Sequence, residues 1–157
     1  MLLLMTVTEQ IAGLDASIEI AAPVADVWRT VSDVRRTGEW SPECRRVVPL
    51  GRVRNGTWLI GFNRRGGTRW PTLSRVVRFE PDAEIAWRVM TNKAIWSYTL
   101  RATSFGCVLS SARRTPDGIG RFASFFTRRY LGGLAAHDAE LQAGMRSGLE
   151  RIKALVE

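Results

Sequence analysis

Asp138 is the residue whose type and position most suggest chemistry. From about 134 to 156 the apolar residues Leu134, Leu141, Met145, Leu149, Ile152 and Val156 recur at the spacing of one helix face. On that wheel Asp138 falls within about 25° of the centre of the stripe, and the single histidine, His137, sits at its flank. A carboxylate aimed at a core is costly without a partner or a wet cavity. Asp138 therefore reads in two ways. It is a pocket carboxylate that orients a ligand or acts as general acid–base with a raised pKa, or it is half of a structural ion pair with a strand arginine such as Arg75, Arg88 or Arg101. Tyr98 and His137 complete the set of catalytic candidates. One histidine cannot supply a His-based triad by sequence logic, and His137 reads first as a surface or rim residue. The chain contains no nucleophile elbow, P-loop, dinucleotide fingerprint or HExxH pattern. No metal and no cofactor is expected.

The second source of chemistry is aromatic. Six tryptophans are many for a chain of 157 residues, and large rings give a pocket its shape as well as its area. Trp58, Trp70, Trp87, Trp96, Tyr98 and Phe62 lie in segments that alternate as strands do. Most must be core, yet a sheet closed over one helix cannot pack so many rings without filling a cavity or lining it. Asn63 and Tyr98 add polar handles of the kind that orient a mostly apolar ligand. Leu141 and Met145 face them from the helical stripe. The segment Ile119–Leu131 crowds three phenylalanines, a tyrosine and three arginines into one stretch. It reads as a pocket lid hinged at Gly118, Gly120 and Gly132–Gly133, with Phe122 and Phe126 turned inward. The alternatives are an interfacial helix on anionic lipid and an ordinary packed helix.

The elements that must position these residues follow from periodicity. Ile18 and Ile20 alternate as a strand. Val24, Val27, Trp28 and Val31 then take helical spacing, starting at Pro23, whose missing N–H costs nothing in a first turn. Ser32 and Asp33 mark the stop, and a looser segment runs to Trp40. Six strands follow: Arg45–Leu50, Thr57–Asn63, Trp70–Glu80, Glu84–Met90, Ile95–Thr103 and Cys107–Thr115. Asn55–Gly56 signals a hairpin turn, and Arg64–Thr68 reads as a loop. Short turns between evenly spaced strands imply an antiparallel meander. The final helix is the natural cover for its apolar face.

Composition sets the outer bounds. The hydrophobic and charged fractions are ordinary for one soluble domain, here residues 13–157 after a loosely ordered lead-in at 1–12. No run approaches the length of a membrane span. The opening MLLLMT lacks the charged region and cleavage site of a signal peptide, so a cytoplasmic protein is expected. Cys44 and Cys107 give neither metal spacing nor a disulfide framework and read as free thiols. The net charge of +8 comes almost entirely from arginine, only Lys93 and Lys153 being lysine. Such a field attracts anions. The arginines come as scattered pairs (Arg35–Arg36, Arg45–Arg46, Arg64–Arg65, Arg113–Arg114, Arg128–Arg129), which fits a solvated surface better than a nucleic-acid face.

Several pieces in this order resemble one family. The run from Ile20 to Trp28 (IAAPVADVW) is similar to the entry strand and first helix of the START-like, Bet v 1-like (SRPBCC) superfamily, in its polyketide cyclase/dehydrase and lipid-transport branch. Trp40–Pro42 is similar to the end of its second helix. Gly61–Asn63, Trp70, Val76–Pro81 and Ala86–Trp87 are similar to its central strands, and Leu141–Leu155 to its C-terminal helix. The resemblance covers roughly Asp15–Glu157. It implies an α+β helix-grip fold: a curved antiparallel sheet of about seven strands around a long C-terminal helix, with two short helices after the first strand. It also implies a cavity for a hydrophobic small molecule such as a lipid or polyketide. Three functions are then open: a carrier or sensor, a polyketide cyclase, aromatase or dehydratase, and an anion-surface binding module. Weak contact with an anionic membrane belongs to the last, and nucleic acid ranks lowest. A monomer or homodimer is expected.

Overall fold

The computed structural model describes residues 13–116 and 134–157, the side chains of 134–137 excepted. Strand β1 (Leu14–Ile20) leads into helix α1 (Val24–Val31) and a 3-10 helix (Val34–Glu39). Six strands follow: β2 (Cys44–Pro49), β3 (Trp58–Arg65), β4 (Thr68–Glu80), β5 (Glu84–Val89), β6 (Ile95–Thr103) and β7 (Gly106–Arg114). Helix α2 (Leu134–Val156) comes last. The strands form one antiparallel sheet in the order β1-β7-β6-β5-β4-β3-β2, so only β1 leaves the meander, crossing to pair with β7. This is the helix-grip arrangement.

The local causes are those the sequence displays. Pro23 caps α1, and its carbonyl accepts from the N–H of Asp26 and of Val27. Ser32 ends α1 by donating its hydroxyl to the Trp28 carbonyl at 2.6 Å. β7 is a strict alternation in which Cys107, Leu109, Ser111 and Arg113 are buried and their neighbours are not. Asn55 and Gly56 occupy the centre of a turn closed by Thr57 N–H to the Arg54 carbonyl, at the end of a longer β2–β3 connection.

Two local expectations are corrected. Residues 64–68 are not a loop, because β3 continues through Arg65, which pairs with Thr68 across Gly66 and Gly67. Two glycines suffice for the turn, so both arginines stay in the ladder. β2 also begins a residue earlier than expected, at Cys44, with a register shift between Cys44 and Arg46.

One cluster of buried side chains (Ile20, Val27, Val31, Trp40, Cys107, Leu109, Leu149 and Ile152) joins β1, α1, β7 and α2. A second (Val34, Leu59, Val76 and Ile85) lies under the middle strands. Among the sheet strands, α2 packs against β1 and β7. Its anchor at the other side is the segment after the 3-10 helix. A Cβ on Gly144 would lie 2.8 Å from Pro42 Cγ, and one on Gly148 would lie 3.3 Å from the Trp40 carbonyl oxygen.

Gly144→Leu tests that anchor. Helix propensity alone favours leucine by about 0.8 kcal/mol, whereas overpacking costs about 1–3 kcal/mol. A net loss of about 1–2 kcal/mol is expected, read as a lower urea midpoint at unchanged slope.

Candidate functional site

Among the described residues, a cavity of about 560 Å³ lies between the inner face of the sheet and α2. That volume falls in the range of small-molecule sites. The strands supply its wall through alternation. Trp87 on β5 pairs with Trp96 on β6, which pairs in turn with Arg113 on β7. Two residues further along β6, Tyr98 packs on Trp87 with ring centroids 5.9 Å apart. Trp70 and Asn63 face each other across β3 and β4, and Gly61 faces Thr72. Gly61 lacks a side chain where a Cβ would stand 2.5 Å from Thr72 Oγ1, which leaves that part of the wall low. From α2 come Asp138, Glu140, Leu141, Gly144, Met145 and Gly148.

Of the residues expected at a site, Asn63, Trp70, Trp87, Trp96, Tyr98, Asp138, Leu141 and Met145 line this cavity. Trp58 and Phe62 do not. Odd and even positions of β3 point to opposite faces, and these two share the outer one. There Arg75 stacks 5.2 Å over the Trp58 ring and Phe62 is exposed. His137 belongs to α2, but its side chain lies outside the described part, and so do Phe122, Phe126 and the whole segment Ile119–Leu131. Asn63 is occupied as a donor: its Nδ2 donates to the Trp70 carbonyl at 3.2 Å and to Thr72 Oγ1 at 3.3 Å.

Asp138 lines the cavity half-exposed, and its ionic partner is Arg113 at 3.6 Å, not Arg75, Arg88 or Arg101. Arg75 and Arg101 are carried elsewhere by the strand register: Arg75 sits over Trp58 on the outer face, and Arg101 is exposed. Arg88 pairs across the ladder with Arg75. Arg113 is 6% exposed, and its guanidinium lies 5.8 Å from the centroid of Trp96. Burial pulls its pKa down, opposed by Asp138 and Glu43.

Glu43 is the second residue that sequence reasoning missed. It precedes β2 and lines the cavity. Burial, and then the neighbouring Glu140, push its carboxyl up to about 6, while Arg65 and Arg113 hold it down. Glu140 itself is bridged by the Arg65 guanidinium. Cys44 is pushed up to about 11, chiefly by burial, and so stays a thiol at neutral pH. Burial likewise pushes the Tyr98 phenol up to about 12. Glu43 is thus a described group of this wall whose carboxyl is raised toward neutrality. Among the described residues, no three His, Cys, Asp or Glu side chains are placed to hold a metal ion. No described helix is long and apolar enough to cross a membrane.

A signal for both was present. Arg113 stands at an inward position of β7, two residues from Ser111 and four from Leu109. Glu43 directly follows the Trp40–Pro42 run.

Residues 12–157 match the family model described as polyketide cyclase/dehydrase and lipid transport. The chain belongs to that family. It is accordingly a member of the START-like, Bet v 1-like superfamily. A search of curated proteins finds no match. Among solved structures it is similar to the di-domain ARO/CYC StfQ of the steffimycin biosynthetic pathway, with a TM-score of 0.72 and 18% identity over 95% of this chain. The match covers 53% of StfQ, so this chain spans about half of that protein. It is also similar to the Polyketide_cyc-like protein Cgl2372 from Corynebacterium glutamicum, with 28% identity, a TM-score of 0.57 and coverage of 92% and 88% of the two chains. A third is BH1534 from Bacillus halodurans, with 15% identity, a TM-score of 0.66 and coverage of 92% and 96%.

Linkage gives Glu43 a measurable signature. Its folded pKa of about 6 exceeds the ordinary 4.5, so the folded state holds the proton more tightly. Its contribution is fully present below about 4.5 and is lost as pH rises through about 6. Stability should fall by about 1–2 kcal/mol across that window on this account. In urea titrations at a series of pH values, Glu43→Gln should lose that part of the fall and be the more stable form above pH ~7.

Proposed function

We propose that the protein takes up an apolar small molecule, of lipid or polyketide type, in the cavity between sheet and α2, as a carrier or sensor. The observation that carries this reading is the cavity of about 560 Å³ walled by Trp70, Trp87, Trp96, Tyr98 and Met145. A core that only had to be stable would close such a space, because unfilled volume costs roughly 24 cal/mol per Å³. The family supports the same reading. The free thiols Cys44 and Cys107 support work in a reducing compartment, the cytoplasm.

A second reading, a cyclase, aromatase or dehydratase, is favoured by Glu43. A cavity carboxyl that titrates at about 6 can give and take a proton near neutral pH. The similarity to an aromatase/cyclase supports it through the fold alone. An enzyme would lose turnover in Glu43→Gln while keeping uptake of its ligand.

Uptake is tested with N-phenyl-1-naphthylamine, a neutral dye that brightens in apolar surroundings. The protein should enhance its emission saturably and show quenched tryptophan fluorescence. Leu141→Trp, which puts a larger side chain into the cavity wall, should weaken uptake at least tenfold with the circular dichroism unchanged. Absence of any enhancement from the unaltered protein would count against both readings.

A further inference from the structure

Trp40 carries the most telling polar atom in the molecule. The residue is 1% exposed and belongs to the main core cluster, yet it also lines the cavity. Its indole nitrogen is buried and has no completed hydrogen bond. A buried donor left in that state costs about 1–3 kcal/mol, so its surroundings call for an explanation. The group it acts upon is the phenol of Tyr98, which packs against the same cluster. An indole N–H is a donor only. In any bond between the two the Tyr98 oxygen can only accept, which leaves the phenolic proton free to point elsewhere. Tyr98 lines the cavity and is half-buried. Ser111, its pairing partner on β7, lines it too.

We propose that Tyr98 is the polar anchor of the cavity, donating its phenolic hydrogen bond to an acceptor oxygen on an otherwise apolar ligand, with Trp40 as the positioning residue that holds the phenol oxygen. The ligand class is an uncharged molecule with a ketone, ester or ether oxygen set against its apolar body. This inference rests on the reading that the cavity takes up a small molecule. Two further observations support it. Burial pushes the phenol up to about 12, so Tyr98 keeps its proton, and with it its donor role, throughout the neutral range. Asn63, an uncharged polar residue of the same wall, already spends its amide hydrogens on Trp70 and Thr72. The indole N–H stays available to the phenol oxygen while the phenol donates to the ligand. Each bond then strengthens the other, because donation by a hydroxyl makes its oxygen a better acceptor.

The test uses two probes of nearly the same shape, 1-acetylpyrene and 1-ethylpyrene, which differ in a carbonyl oxygen. The unaltered protein should bind 1-acetylpyrene about fivefold more tightly, the worth of one neutral hydrogen bond. Difference infrared spectra should show its carbonyl stretch moved to lower frequency on binding. Tyr98→Phe should abolish both the preference and the shift while 1-ethylpyrene binds as before. Trp40→Phe should diminish the shift with Tyr98 still in place, an effect that loss of packing alone would not produce. Should Trp40→Phe fail to fold, the Tyr98→Phe comparison still decides whether the phenol is the anchor, and the proton resonance of the Trp40 indole N–H in the unaltered protein decides the role of Trp40. That resonance should move downfield with 1-acetylpyrene bound, and an indole proton shift no different with 1-acetylpyrene and with 1-ethylpyrene would overturn the positioning role. Equal binding of the two probes, or a preference that survives Tyr98→Phe, overturns the anchor and leaves the cavity reading intact. Failure of both probes to bind overturns the cavity reading and this inference with it.

Discussion

The cavity depends on where α2 is allowed to touch. A helix that lay flat on the sheet would exclude any ligand. Here it is held along β1 and β7 and by the Trp40–Pro42 segment, which approaches its backbone at Gly144 and Gly148. Small residues permit that approach, and the contact is made by chain that lies outside the sheet. The middle strands are left to face open space, with Trp70, Trp87, Trp96 and Tyr98 as its wall. The same Trp40 that closes the core at this seam also lines the cavity, its buried indole nitrogen without a hydrogen bond. Packing and polarity thus meet at one residue.

The electrostatics of exterior and interior differ. The chain carries a net charge of +8, and many of its arginines are at the surface. Inside, Arg113 stands with Asp138 and Glu43, both carboxyl groups. Charges separated by more than about 10 Å through salt water barely feel one another, so the net charge of the whole says little about the ligand. The local set sets the terms: a guanidinium lying over an indole, a carboxylate beside it, and a second carboxyl that titrates near neutrality.

Much of the fold was legible because its elements carry clean periods. The alternation in Ile95–Thr103 and in β7, the switch to helical spacing at Pro23 and the long stripe of α2 each appear where local pattern places them. Asp138 could be aimed toward the sheet from the wheel alone. Its partner could not be found, since helical spacing says nothing of which strand lies opposite. The arginine pairs show why Arg113 escaped notice. Adjacent residues of a regular strand face opposite ways, so a pair within one cannot be wholly surface. At Arg113–Arg114 the first is buried and the second is not. At Arg45–Arg46 both are exposed, because the register shift at the start of β2 breaks the alternation. Irregularities of that kind have no residue signature in Cys44–Arg46. The faces of Trp58 and Phe62 were misassigned for a related reason: alternation identifies which residues share a face, and only the curvature of the sheet decides which face is concave.

Gly61 has a consequence for how such a protein can diversify. It sits in the middle of β3, in the ladder on both sides, with the space above it bounded by Thr72 and the cavity. The strand's hydrogen bonds are made by backbone, so a side chain at this position would change the volume on offer without rewriting the pairing that holds the sheet. Capacity is thereby uncoupled from architecture. A Cβ at position 61 would stand 2.5 Å from Thr72 Oγ1, so the volume is retuned when positions 61 and 72 change together.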